Sequence, residues 1–383
     1  MTSFLKIFII VFFSSITLVQ ASPNIKARTA ILVDFQSDKI LYELQPDHSI
    51  HPASMTKIMT AIIVFDLLTQ EKISLDDKVT ISEKAWRMSQ AGYSSMFIMV
   101  NDEITIENLL RGIIIASGND ACVALAEGVA GTEENFVTLM NEKAQEIGMT
   151  ATNFANTSGI NNPDNYSTVR DIALMSKYLI KNYPTYYEYF KETEFTWERT
   201  GGNPITQGNR NTLLYKNLGV DGIKTGHLAV EEYSLASSLK KKKRRLIAVG
   251  SGFKTIAERA SQSRKLLSWG LANTETFEIS KKEITHFDIK TWLGKNESTL
   301  GYTKEDIYVT IYKKDLKYFN VFIEYTGPIK APVKKNQEIA FINVYNKNEL
   351  LKSTPIYAVE KTKKINFLLS LLNSFNYLIW GDA

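Results

Sequence analysis

Cysteine is nearly absent from this 383-residue chain: Cys122 stands alone, so no intrachain disulfide can form. Its neighbours Ala121, Val123, Ala124 and Leu125 mark it as a buried helical residue and not a reactive thiol. Histidine is scarce too, and His48, His51, His227 and His286 fall at spacings that do not suit zinc. No Gly-x-Ser-x-Gly elbow is present. Neither a metal nor a cofactor is therefore expected. The net charge of +4 is small for the length and argues against nucleic-acid binding as the main activity. Apolar runs are short as well; none reaches the roughly 20 residues that a spanning helix needs.

What is present begins with an export pattern. Lys6 precedes an apolar run over residues 7–19, broken only by Ser14, Ser15 and Thr17, and Val19-Gln20-Ala21 leads into Ser22-Pro23. This predicts a secretory signal over residues 1–21 and a working protein outside the cytoplasm. The remaining length exceeds what one core usually holds, so two domains are expected.

Residues 29–34 and 39–44, separated by Ser37-Asp38, read as a hairpin. A helix apolar on nearly every face follows from Lys57, with Ser54 at its start. Residues 104–115 and 121–147 have helical spacing, and the break between them, Ala116-Ser117-Gly118-Asn119-Asp120, is expected to be an exposed loop. Residues 220–227, 233–236 and 246–250 read as consecutive antiparallel strands, with the basic run 240–245 as a solvated turn between the last two. A closing helix over 259–269 ends at Gly270. Short strands at 307–312, 319–325, 338–344 and 356–359, separated by Gly, Pro, Asn and Lys turns, then suggest a small β-sandwich without a catalytic constellation. The expected organisation is a signal peptide (1–21), a catalytic domain (22–275), a β-domain (276–360) and a terminal helix (361–383).

Chemistry enters at Ser54-Met55-Thr56-Lys57. Residues three apart share a helix face, so the Lys57 amine can approach the Ser54 hydroxyl. Burial lowers an amine's pKa, and a neutral amine can take the serine proton. Ser-x-x-Lys alone is weak evidence, because it recurs at Ser3, Ser237, Ser238 and Ser251. Two further groups strengthen it. Ser117-x-Asn119 offers a hydroxyl for proton relay and an amide able to hold both Lys57 and a substrate carbonyl. Lys224-Thr225-Gly226 offers a cation, a hydroxyl for a carboxylate, and a glycine beside which a substrate backbone can lie on an edge strand. Strict strand alternation would send Lys224 and Thr225 to opposite faces unless the strand is twisted.

This trio, in this order and context, resembles the signature of penicillin-binding proteins and class A β-lactamases, in which Asp is usual where Gly118 stands. With the stretches 111–121, 221–227, 265–270 and 331–337, the chain from about residue 27 to its end resembles the D-alanyl-D-alanine carboxypeptidases of the low-molecular-mass penicillin-binding proteins. The resemblance implies an α+β catalytic domain, helices packed on an antiparallel sheet, plus a C-terminal β-domain. It implies a serine peptidase that removes the terminal D-alanine from peptidoglycan stem peptides and is acylated by β-lactam antibiotics. Ser54 would form the acyl-enzyme, Lys57 would be its base, and Ser117 with Asn119 would relay protons and orient Lys57. Lys224 and Thr225, with Gly226 beside them and Arg259 as a further candidate, would bind the substrate carboxylate. The N–H groups of Ser54 and His227 would form the oxyanion hole. Ser158 stands where similar enzymes often carry a histidine. Lys57 is expected to be neutral and Lys224 charged, Lys57 being the more deeply buried.

Other readings share parts of this pattern. A class A β-lactamase would need a deacylating glutamate between Asn119 and Lys224, and no suitable loop offers one. A D,D-endopeptidase acting on cross-links, or a non-catalytic wall-binding or β-lactam-sensing protein, would keep the same pocket. At the other end, residues 365–380 are apolar but for a narrow stripe of Asn366, Ser370, Asn373 and Ser374, and they follow Lys361, Lys363 and Lys364. That suits a helix lying in a membrane surface, tethering the protein to the periplasmic face of the cytoplasmic (inner) membrane.

Overall fold

The computed structural model describes residues 22–284 and 286–380. The export signal expected over residues 1–21 thus lies outside the described residues. Strands β1 (Thr29–Asp34) and β2 (Ile40–Leu44) form the expected hairpin. A 3₁₀ turn, Ala53–Thr56, leads into α1 (Lys57–Thr69), which is buried on almost every face, as its lack of a polar side requires. Ser54 therefore does not cap α1 but sits inside the preceding turn. Side chains three apart eclipse one another in a 3₁₀ turn, which brings Ser54 over Lys57.

The short ladder β3 (Lys78–Thr80) with β4 (Glu103–Thr105) brackets α2 (Glu83–Gln90), whose first turn is capped by Ser82. Helix α3 (Ile106–Arg111) widens into a π turn, Gly112–Ala116, before α4 (Asn119–Ala130). The single helix expected over 121–147 is in fact two. Gly131, at φ +79°, ends α4, and the Thr132 hydroxyl caps α5 (Glu133–Ile147) by accepting from Asn135 N–H. Helix α6 (Val169–Asn182) and the hairpin β5 (Glu194–Trp197) with β6 (Ile205–Gly208) follow.

Strands β7 (Val220–Leu228), β8 (Glu232–Lys241) and β9 (Arg244–Phe253) complete a five-stranded antiparallel sheet ordered β2-β1-β9-β8-β7, with β7 at the edge. Helix α7 (Ile256–Asn273) outruns the expected 259–269 at both ends. Its Gly270 lies within the helix, where a Cβ would come within 2.7 Å of the Leu32 side chain. Glycine there serves close helix–sheet packing, not termination.

A second cluster, including Ile289, Ile307, Ile311, Val333, Ile342, Val344 and Ile356, is separate from the core around α1. It is built from the pair β10 (Thr274–Ser280) with β13 (Ile307–Tyr312) and from a six-stranded sheet. That sheet is ordered β14 (Phe319–Glu324), β16 (Glu338–Asn346), β17 (Glu349–Ala358), β12 (Ser298–Tyr302), β11 (His286–Trp292), β15 (Ile329–Lys330). The two regions meet at Asp34, fully buried, which accepts from Arg244 Nε at 2.9 Å and Thr276 Oγ1 at 2.6 Å. Arg244 and Arg245 are accordingly not solvated as expected, since Arg245 is buried against Asp221 at 2.8 Å. Helix α8 (Phe367–Trp380) ends the described chain, with Phe367, Leu368, Phe375, Leu378 and Trp380 exposed.

Candidate active site

Ser54 and Lys57 face each other across the 3₁₀ turn, Nζ to Oγ 3.0 Å. Lys57 is enclosed, and its amine also donates to Asn119 Oδ1 and to the backbone carbonyl of Ser158, each at 2.7 Å. Two carbonyl oxygens can only accept. They use the two N–H bonds of a neutral amine and leave its lone pair aimed at the Ser54 hydroxyl, which is the arrangement a base requires. Burial, aided by the nearby charge of Arg210 and opposed by Asp120, pushes the Lys57 pKa down to about 8. The same burial pushes the Cys122 thiol up to about 12, which keeps it protonated and inert.

Ser158 thus reaches Lys57 through its carbonyl. Gly159 beside it takes φ +78°, and a Cβ there would lie 1.8 Å from the Ala53 carbonyl oxygen, so only glycine lets this loop close on the turn holding Ser54.

Residues 116–120 are buried, contrary to the exposed loop expected of them. The reason is Asp120, whose carboxylate accepts from Ser95 Oγ at 2.6 Å and from the N–H groups of Met96 and Phe97 at 2.9 and 2.8 Å. It draws the 94–98 segment over the break and satisfies its polar groups internally. A Cβ at Gly118 would lie 2.9 Å from Met96 N, which accounts for glycine at that position. Ser117 is held in the left-handed region, φ +63°, and its Oγ accepts from Lys224 Nζ at 2.9 Å.

A cavity of about 470 Å³ opens over this group, lined by Ser54, Ser117, Arg210, Thr225, His227 and Arg259 among others. Thr225 lines it whereas Lys224 does not. Strand alternation therefore holds: Thr225 faces the cavity, and Lys224 sits behind and meets it through Ser117. Among the described residues lining this cavity, none is acidic. Lys224 is pushed well below its usual pKa by burial first, then by Lys57, Arg210 and Arg259. Exposures of 1% and 3% do not separate Lys57 from Lys224, so relative burial is not what distinguishes them. Nor does the expected order of protonation hold for the free site: Lys57 is lowered to about 8, whereas Lys224, against a hydroxyl on the wall of a cationic cavity, is pushed well below its usual value and gives up its proton the more readily.

Arg210, which the sequence did not single out, lines the cavity with Nη1 2.6 Å from Ser94 Oγ. Its carbonyl accepts from Arg259 Nη2 at 3.1 Å. Burial lowers the Arg259 pKa to about 10, leaving the guanidinium charged at neutral pH. Flanking Asn209 and Asn211 are buried, and Asn211 Nδ2 donates to the Gly222 carbonyl of β7 at 3.0 Å. Such long-range tethers leave no periodic trace in a sequence. Gly226 proves to be a packing residue, since a Cβ would meet Ser234 Oγ at 2.3 Å and the Pro52 carbonyl at 3.1 Å.

Glu231, in the turn after β7, was also missed. Its buried carboxylate accepts from His51 N–H at 3.1 Å and Ser251 Oγ at 2.7 Å and pairs with Arg28. It thereby ties the approach to Ser54 to the strand that carries Thr225.

A family model described as D-alanyl-D-alanine carboxypeptidase matches residues 16–255, and one described as penicillin-binding protein 5, C-terminal domain, matches residues 275–364. Among curated proteins, the chain is 39% identical over 372 residues to D-alanyl-D-alanine carboxypeptidase DacC of Escherichia coli, covering 96% of this chain and 91% of that one. Among solved structures, penicillin-binding protein 5 from Haemophilus influenzae superposes with a TM-score of 0.81 at 35% identity, covering 90% of this chain and 99% of that one. Penicillin-binding protein D2 from Listeria monocytogenes in its ampicillin-bound form gives a TM-score of 0.58 at 25% identity, covering 66% of this chain and 100% of that one.

Proposed function

The chain belongs to the D-alanyl-D-alanine carboxypeptidases, serine peptidases of the penicillin-binding class, and from that premise we propose that Ser54 is its nucleophile and Lys57 its base. It acts on peptidoglycan stem peptides and binds β-lactams. The observation that carries the assignment is Lys57 Nζ at 3.0 Å from Ser54 Oγ, with Asn119 Oδ1 and the Ser158 carbonyl placed to take both N–H bonds of its neutral form.

The Ser54 proton passes to Lys57 Nζ as Oγ forms a bond to the carbonyl carbon of the penultimate D-alanine. The N–H groups of Ser54 and His227 stabilise the oxyanion. Collapse breaks the peptide bond. Ser117 gives its hydroxyl proton to the departing D-alanine amine and takes one from the charged Lys224 Nζ that donates to it. Water then attacks the acyl carbonyl, its proton passing through Ser117 back to Lys224 while Lys57 returns its own to Ser54 Oγ as the shortened stem leaves. The substrate's terminal carboxylate is drawn in by Arg210, Arg259 and, through Ser117, Lys224, with the Thr225 hydroxyl and the Gly226 backbone completing its seat. An arriving carboxylate raises the pKa of Lys224 and favours its charged form.

Mass spectrometry after incubation with penicillin should show one adduct on the Ser54 peptide, and pentapeptide stems should lose D-alanine. An adduct persisting in Ser54→Ala would overturn the assignment; cleavage confined to cross-linked dimers would favour the endopeptidase reading.

We further propose export, a catalytic domain over 22–275, a β-domain over 276–360, and attachment to the outer face of the cytoplasmic membrane through α8. Among the described residues, no helix is long and apolar enough to cross a membrane. The exposed Phe, Leu and Trp side chains of α8, following Lys361, Lys363 and Lys364, suit a helix lying in the interface.

A further inference from the structure

Another cavity, of about 630 Å³, lies where β8, β9, β10 and β13 meet, and one of about 580 Å³ opens on the opposite side of the β8–β9 tip. The wall between them is the basic run 240–245. Arg244 and Arg245 are taken up by Asp34 and Asp221. Lys240, Lys241, Lys242 and Lys243 are different: all four are exposed, and among the described residues no partner is seen for their ammonium groups, the Gln36 amide meeting only the backbone carbonyl of Lys243. Alternation along the hairpin distributes them. Lys241 lines only the first cavity, Lys240 only the second, and Lys242 and Lys243 border both.

The turn carries a second mark. Lys241 pairs with Arg244, so the connection is the two residues Lys242-Lys243, and Lys242 takes φ +56°. A two-residue connection with positive φ at its first position is the geometry that favours glycine. Lysine there is strained, so the turn is not built for its own stability. Lys313 and Lys281 extend the positive lining of the first cavity, while Glu275 and Glu278 sit on its wall and restrain it.

We propose that this tip is a binding site for an extended phosphate polyanion that crosses the hairpin and places phosphates in both cavities. Ammonium groups act as point charges that suit phosphate, and spacing on both faces of a ridge suits a chain more than a single ion. A flat bilayer could touch only the ridge, and the four lysines offer no aromatic or aliphatic side chain to insert, unlike α8. The site stands apart from Ser54 and Lys57 and does not depend on their roles.

The test is titration of the full-length protein with short-chain inorganic polyphosphate at several salt concentrations, followed calorimetrically. Saturable binding that weakens steeply with salt is expected, and Lys240→Gln/Lys241→Gln/Lys242→Gln/Lys243→Gln should weaken it about tenfold or more. Penicillin acylation at the wild-type rate verifies that the variant is folded. Lys242→Gly alone should raise Tm yet weaken polyphosphate binding. Wild-type affinity in the quadruple variant would overturn the proposal. So would a variant that loses binding to phosphatidylglycerol vesicles while keeping its affinity for polyphosphate, since that result assigns the lysines to a membrane.

Discussion

The active site and the β8–β9 tip both gather cations, yet in opposite surroundings. Lys57, Lys224 and Arg259 converge below or around one cavity with little access to water, Arg210 standing at its exposed edge, whereas Lys240 to Lys243 stand in solvent. Burial makes ionisation costly, so the enclosed lysines hold their protons less tightly than a solvated lysine does. The tip lysines, standing in solvent away from any reacting group, are placed for attraction and not for catalysis. The same side chain does two kinds of chemistry, and the solvent around it decides which.

That contrast can be broken by substitution. The largest effect should come from Ser54→Ala or Lys57→Arg, each lowering β-lactam acylation by a factor on the order of 10³ or more, measured by stopped-flow or mass spectrometry. Arginine cannot surrender its proton at working pH, so normal acylation in Lys57→Arg would show that the buried amine is not the base. Acidification is the reversible counterpart. Because the pKa of Lys57 is lowered to about 8, its active neutral form is lost as pH falls through that value, and kcat/KM for acylation should drop about tenfold per unit below it. A flat profile from pH 6 to 9 would place the base elsewhere.

Glu231→Ala should have an intermediate effect, lowering acylation by about tenfold through misplacement of the Ser54 approach, with Glu231→Gln retaining more because it can still accept from His51 N–H. Equal losses in both variants would point to the Arg28 pair instead. Removing residues 365–383 should release active enzyme from washed membranes with D-alanine release unchanged; a truncated protein that stays bound would move the anchor elsewhere. The smallest catalytic effect is expected from the quadruple tip variant, whose acylation rate should equal that of the wild type.

The legible parts of this molecule were those carried by local patterns. The β1–β2 hairpin, the all-round apolar α1 and the strands β7 to β9 announce themselves through periodicity or through the want of a polar face. Ser54, Lys57, Ser117, Asn119 and Thr225 were found because three short motifs occur in one order, and the structure gathers them around one cavity or directly beneath it. Arg210 and Glu231 carry no such mark. Each matters through one long-range partnership, Arg210 with Ser94 and Glu231 with His51, and a polar residue in a loop looks the same whether it will be buried or solvated. The break at 116–120 is such a case, buried and not exposed: its turn-forming residues are real, but Asp120 draws another segment over them.

By itself the sequence determined which groups could react and which neighbours along the chain would share a face, because spacing of three or four residues is set by backbone geometry alone. Tertiary structure alone decided their chemical states. Only the folded chain brings the Ser158 carbonyl and Asn119 to Lys57, puts Lys224 behind Ser117 and not in the open cavity, and shuts water away from both amines. An amine's pKa depends on the dielectric and charges around it in space, and that surrounding is assembled from segments far apart in the chain.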